Sequence, residues 1–217
     1  MTQHDRGETA SRPSPIPSSP RTTPPIPSFY DDLDGTLTEA WRMLARGVGD
    51  RRSAFHTPMV ATVGLDRAPK VRTVVLRAVD VGARTLRFHT DCRSEKADEI
   101  TANPQMAIIG YDAGHKIQLR LSGRATLHFG AGDALAEQAW AATPDRSRVG
   151  YRQAVAPGAA LATGAIEAAP LPDGFEHFIA VSFAVDSIEW LYLAHAGHRR
   201  ARFTWREGTL SSTWLAP

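Results

Sequence analysis

Four short segments of this chain combine residue types that hold anions or planar ligands. They are RTVVLR at 72–77, FHTDCRSEK at 88–96, IQLRLSG at 117–123, and GHRRARF at 197–203 followed by WLAP at the carboxyl end. The second carries the clearest physical argument. A helix capped by Ser94 would place Lys96 in its first turn, where the helix dipole disfavours a cation. The Ser94 side chain would occupy one backbone amide and leave others free. A bound phosphate would accept those amides and the Ser94 hydroxyl while pairing with Lys96 and Arg93. Taken alone, the segment reads more readily as a solvated helix start that tolerates a lysine.

The remaining segments add polar groups at strand spacing. Residues 116–122 alternate Lys, Gln, Arg and Ser against Ile, Leu and Leu, the period of a sheet with one polar face. Gln118 on that face fits a ligand contact and an exposed strand residue about equally well. Arg72 and Arg77 differ by five positions, so strict alternation sends them to opposite faces. Either a bulge corrects the register or only one of them meets a ligand there. In the last segment His198, Arg199 and Arg200 could hold an anion, or could form a charged hairpin facing water.

These residues need a frame. Leu37, Ala40, Trp41, Leu44 and Val48 recur at helical spacing, with Gly47 and Gly49 near the stop. Strands are expected at 59–65, 71–79, 86–90, 106–111, 116–122, 178–185, 188–193, 199–205 and 209–214, with Glu207-Gly208 as a hairpin turn. Helices are expected at 94–102, ending before Asn103-Pro104, and at 133–141. The stretch 143–174, rich in Ala, Gly and Pro, has no clear period. Residues 1–28 hold seven prolines among Ser and Thr and little to bury, and are expected to be a disordered tail. Residues 29–217 would then form one domain of the α+β class, an antiparallel barrel that closes its edges on itself, with flanking helices.

Composition narrows the function classes. The net charge of +2, from 25 Lys+Arg against 23 Asp+Glu, shows no clustered basic stripe, so nucleic acid is not expected as a partner. Cys92 is alone, there is no signal-peptide pattern and no window of about 20 apolar residues, so a cytoplasmic, non-membrane protein is expected. The eight histidines form no metal-ligand pattern.

In order and spacing the four segments resemble the pyridoxamine 5'-phosphate oxidase family of FMN-binding split barrels, from about Met59 to the carboxyl end. RTVVLR resembles that family's Arg-x-x-x-x-Lys flavin strand, with Arg72 kept and Arg77 in place of the lysine. His89-Thr90 resembles its Tyr-Thr phosphate turn, with His89 replacing the aromatic hydroxyl. Ser94 and Lys96 fall on its Ser-Arg-Lys, where Glu95 replaces the arginine. Gln118 falls on the glutamine that contacts the flavin ring and Arg202 on the arginine near the carboxyl end. The resemblance implies FMN as cofactor at the interface of a homodimer, its phosphate held by Arg72, Thr90, Ser94 and Lys96. It implies further cofactor contacts from Thr73, Val74, Leu76, Arg77, His89, Gln118 and Arg202. Substrate contacts would come from Arg77, Ser147, His198, Arg199 and Arg200.

The chain also departs from that family. Of the segment that grips the substrate phosphate, Pro144, Ser147 and Gly150 align, while the tyrosine falls on Ala139 and the arginine on Thr143. Arg146 and Arg148 are the local cations that could substitute. The family's substrate arginine falls on His198 and its histidine on Arg200, unless a one-residue gap restores Arg199. The expectation is an FMN-dependent oxidoreductase acting on a small anionic substrate, with no catalytic residue assigned. The alternatives are a non-catalytic flavin carrier or sensor, and the same barrel holding a deazaflavin or haem.

Overall fold

A computed structural model describes residues 27–164, 173–193 and 197–217. The expected tail lies outside the described residues except for 27 and 28, as does the part of the Ala/Gly/Pro-rich stretch at 165–172. The first helix, α1 (Leu33–Gly49), starts where the Asp32 carboxylate accepts the Asp34 amide at 3.1 Å. It buries Ala40, Trp41, Met43, Leu44 and Gly47 on one stripe. Among the described residues nine strands follow: β1 (Met59–Val63), β2 (Pro69–Thr73), β3 (Leu76–Asp80), β4 (Thr85–Asp91), β5 (Gln105–Asp112), β6 (Ile117–Phe129), β7 (Phe178–Tyr192), β8 (Arg199–Arg206) and β9 (Thr209–Leu215). The helix α2 (Glu95–Ala102) follows β4, and α3 (Ala134–Ala141) and the short α4 (Asp145–Arg148) follow β6. Among the described residues no helix is long and apolar enough to cross a membrane.

All pairings are antiparallel, in the order β2-β1-β5-β6-β7-β4-β3, with β8 on β7 and β9 on β8. The first half of β7 lies between β6 and β4, and its second half between β6 and β8, so the sheet divides along its longest strand. The barrel edges do not close by pairing as expected from sequence. No ladder joins β2 to β3 among the described residues; the chain joins them. The expected single strand at 71–79 breaks at Val74 and Val75, where the backbone leaves β1 and enters the ladder with β4. The crossing is pinned by the Val74 amide on Pro58 O at 3.0 Å and the Leu76 amide on His56 O at 2.9 Å. This is an antiparallel split barrel with flanking helices.

A second difference lies in β7. The runs 178–185 and 188–193 are one strand of fifteen residues with a bulge at Asp186, where Ser122 pairs Ser187 and Gly123 pairs Val185. The extra residue moves the core-facing set from Phe183 and Val185 to Ile188 and Trp190, all at most 3% exposed. That phase change is what makes the sequence look like two strands. Phe178 and Ala180 face the other way and are buried too, under Ala139 and Trp140 of α3 with Tyr151 and Phe175 packed alongside. The Glu207-Gly208 turn forms as expected, with φ of 51° and 80° at its two central residues.

Gly123 makes the bulge possible. A Cβ there would stand 1.9 Å from Ala184 O and 3.1 Å from the Phe183 ring. Gly123→Ala is therefore expected to destabilise the fold by roughly 2–4 kcal/mol. Gly49→Ala, at an exposed helix end with nothing within 4 Å, should stabilise by a few tenths to ~1 kcal/mol. Urea denaturation of the two variants gives both signs.

Candidate functional site

The crossing at Val74–Val75 opens a groove. One part, of about 290 Å³, is lined by Thr57, Thr73, Val74, Val75, Arg77, His89, Lys96 and Tyr151. The other, of about 230 Å³, is lined by Arg72, Ser94, Glu95, Lys96, Pro157 and Gly158. Lys96 borders both. Arg72 pairs with Val60 on the α2 side of the sheet, whereas Arg77 follows the core residue Leu76 and points to the other side. The break between the two strands lets one groove pass from face to face, so both arginines border it despite their opposite faces.

At the start of α2, Ser94 occupies the cap position but makes no side-chain cap bond. Its hydroxyl donates instead to Asp91 O at 2.6 Å and lies 3.1 Å from Thr90 Oγ1. The expected use of one amide by the Ser94 side chain is corrected by this geometry, and the first-turn amides lose a competitor. Lys96 Nζ donates to Thr90 Oγ1 at 3.1 Å. Burial, then the charge of Arg72, push the Lys96 ammonium below its ordinary value, with Asp91, Glu99 and Glu95 opposing. Among the described residues no carboxylate pairs with Lys96, whereas Arg72 is held by Glu99 at 2.7 Å and also donates to Thr62. Glu99 is 2% exposed and Thr62 donates to it at 2.5 Å. Arg93 does not face the groove as a free cation: it grips Asp91 with two bonds, at 2.9 and 2.7 Å, and donates to Gln153 O. Two cations beside uncapped amides suit an anion that brings its own negative charge.

The other part of the groove is differently built. Arg77 has no hydrogen-bond or ion-pair partner among the described residues, and His89 Nε2 is buried without one. Burial, then the charges of Arg77 and Arg87, lower His89 from 6.5 to about 3. It is a neutral imidazole. Burial pushes the Tyr151 phenol up to about 12, against the pull of Arg77. Leu76 is 1% exposed in the core and gives the groove no side chain.

Other expected site residues lie elsewhere. Gln118 sits on the open face of β6 between Tyr111 and Leu191. Arg200 and Arg202 both bond Glu189 at 2.7 Å, with Arg120 at 3.6 Å. Burial opposes ionisation of Glu189, but the bonds from Arg200 and Arg202 and the charge of Arg120 outweigh it and hold the carboxyl below its ordinary value. Arg199 bonds Asp31 at 2.7 Å and lies over the Tyr30 ring, and His198 is exposed beside it. Ser147 sits in α4 and does not line the groove. The local cations that could replace the lost arginine are not both available: Arg148 stacks over Trp140 at 4.6 Å and donates to Trp140 O. Thr143 turns inward and bonds Ala139 O at 2.7 Å. A cleft of about 300 Å³ between α1 and the β5–β6 turn competes in size, but its Arg42, Arg46 and His115 are already paired with Glu39, Asp50 and Asp112. Cys92 is raised by burial and by Asp91, the opposite of what a nucleophilic thiol needs.

Comparison with solved structures shows the same fold. The chain superimposes on PhzG from Burkholderia lata 383, determined with tetrahydrophenazine-1-carboxylic acid, with a TM-score of 0.70 and 18% identity over 90% of this chain and 100% of that one. It also matches a pyridoxamine 5'-phosphate oxidase-related, FMN binding protein from Nostoc punctiforme PCC 73102, with a TM-score of 0.65 and 24% identity over 89% of this chain and 100% of that one. Residues 38–129 match the family model of the pyridoxamine 5'-phosphate oxidase FMN-binding domain. A pyridoxine/pyridoxamine 5'-phosphate oxidase from Nitrobacter winogradskyi is 30% identical over 64% of this chain and 68% of its own length. A second such oxidase from Arabidopsis thaliana is 30% identical over 54% of this chain, with 63% of its own length covered, and the Burkholderia vietnamiensis oxidase is 38% identical with 31% covered. The chain belongs to the pyridoxamine 5'-phosphate oxidase family of FMN-binding split barrels, and its cofactor is FMN.

Sequence reasoning missed Tyr151, Glu99 and Thr62. Glu99 left a trace, since it stands three residues after Lys96 and next to the buried Ile100. Tyr151 left none.

The depressed His89 has a consequence in the absence of cofactor. Below pH 6.5 the unfolded chain takes up a proton at this histidine that the folded protein refuses until about pH 3. Stability is therefore lost as pH falls through that window, by at most ~1.4 kcal/mol per pH unit. His89→Gln should flatten the decline between pH 6.5 and 4 in urea titrations of apoprotein; parallel curves would show that His89 titrates normally.

Proposed function

We propose that this protein is an FMN-dependent oxidoreductase acting on a small anionic substrate. The observation that carries the reading is the unpaired Lys96 beside Arg72 and the uncapped first turn of α2. In this reading Arg72, Thr90, Ser94 and Lys96 hold the FMN phosphate, and Thr73, Val74, Arg77 and His89 line the path of the rest of the molecule. Bound FMN would supply hydride or electron transfer, while the protein orients it and sets the local charge. A second reading, a flavin carrier without turnover, is favoured by one observation: Thr143 and Arg148 serve packing, which leaves Arg146 alone of the local cations to meet a substrate phosphate.

FMN titration, photoreduction under nitrogen and readmission of oxygen test the first reading against the second. We expect FMN to bind and Lys96→Ala to weaken it by roughly 10- to 100-fold, the worth of a charge-assisted bond. Reduced flavin should reoxidise rapidly, with little or no oxygen uptake driven by pyridoxamine 5'-phosphate. Failure to bind FMN sinks both readings, and inert reduced flavin favours the carrier.

We also propose a homodimer. Met59, Val63, Val71 and Tyr111 are exposed on one face of β1, β2 and β5, and Gln118 continues that face. A self-complementary contact there would bring Gln118, Arg202 and the segment His198, Arg199 and Arg200 toward a partner's groove. Light scattering should give twice the 23.6 kDa chain mass. Val71→Glu should shift it toward monomer and lower FMN occupancy.

A further inference from the structure

The groove has a member that neither the motifs nor the resemblance supplied. Tyr151 lines it together with Thr73, Val74, Arg77, His89 and Lys96. Its ring and that of His89 stand on the same support: each meets the Phe178 ring edge-on, at 5.2 and 4.7 Å with interplanar angles of 71° and 70°. The residue is half-buried, and no group among the described residues bonds its hydroxyl, which leaves that donor free for a molecule in the groove.

The residue is firmly placed. Its amide donates to Arg148 O at 2.9 Å, and His177 Nδ1 lies 2.9 Å from its carbonyl oxygen. The segment before β7 closes on it through Gly174, at φ 88°, where a Cβ would stand 2.8 Å from the Tyr151 carbonyl carbon. Only a glycine allows that approach. The ring also packs on Trp140 at 5.7 Å.

We propose that Tyr151 is a further cofactor-contacting residue, whose phenol returns to the groove the aromatic hydroxyl that histidine at position 89 lacks and donates its hydrogen bond to an oxygen of FMN. This rests on the FMN reading above. The two positions are exchangeable because they share the Phe178 platform and open on the same groove. The phenol holds its proton at every working pH, and His89 is a neutral ring beside it. Arg77 supplies the charge and Tyr151 the neutral donor.

The test compares FMN affinity by fluorescence quenching in the full chain, Tyr151→Phe, and Tyr151→Phe with His89→Tyr. Phenylalanine keeps the ring packing, so thermal unfolding of Tyr151→Phe should match the parent. Its FMN affinity should fall about tenfold, the worth of one buried hydrogen bond. The added tyrosine at 89 should restore most of the loss. Tyr151→Phe binding within twofold of the parent overturns the inference. So does a weakened variant that His89→Tyr fails to rescue. A parent chain that binds no FMN would instead sink the reading on which it rests, and that outcome is visible before any variant is made.

Discussion

The chain cannot continue straight from β2 into β3, because the first strand is laddered to β1 and the second to β4 on the other side of the barrel. Two residues, Val74 and Val75, must span that gap. Their course is held by backbone bonds to Pro58 and His56, just after α1, so the helix and the crossing are tied together. Everything in the groove depends on this constraint. It separates Arg72 and Arg77 by face, opens the space between them, and lets Lys96 from α2 reach both halves.

Electrostatics distinguishes the groove from the other charged surface. Around Glu189 three arginines converge on one half-buried carboxylate, and each of them has it as an ion-pair partner. At the start of α2 the cations are matched differently. Glu99 answers Arg72, Asp91 is taken by Arg93, and Lys96 is left with a hydroxyl. Burial already disfavours its charge, so the folded chain carries an unfavourable term that an anion removes.

The elements were largely legible because core-facing residues repeat at the period of a strand or helix for most of the chain. The failures fall where the phase slips. At 71–79 a stretch rich in β-branched residues, with no Gly or Pro inside it, hid the break at Val74–Val75, and at Asp186 a single extra residue made one strand look like two. The site was legible where neighbouring residues carry it, as with Ser94 and Lys96. It was illegible where the chain brings distant residues together. Thr62, Arg72 and Glu99 come from β1, β2 and α2, and no local pattern links them. Tyr151 lies in a stretch without a period, and its role depends on Phe178 and Gly174.

Two positions at which the chain differs from the family it resembles, Ala139 and Thr143, lie at the end of α3 and serve packing there. Thr143 caps the end of α3 through Ala139 O, and Arg148 is spent on the face and carbonyl of Trp140. Arg148 thereby covers the aromatic cluster of Trp140, Tyr151, Phe175 and Phe178 that stands beside His89, and Tyr151 is held in that packing. The end of the groove so formed offers one guanidinium without a partner among the described residues, a neutral imidazole and a phenol, and it shares Lys96 with the end where Arg72 stands. The cations of the groove therefore lie along one continuous path rather than at two separate anion sites.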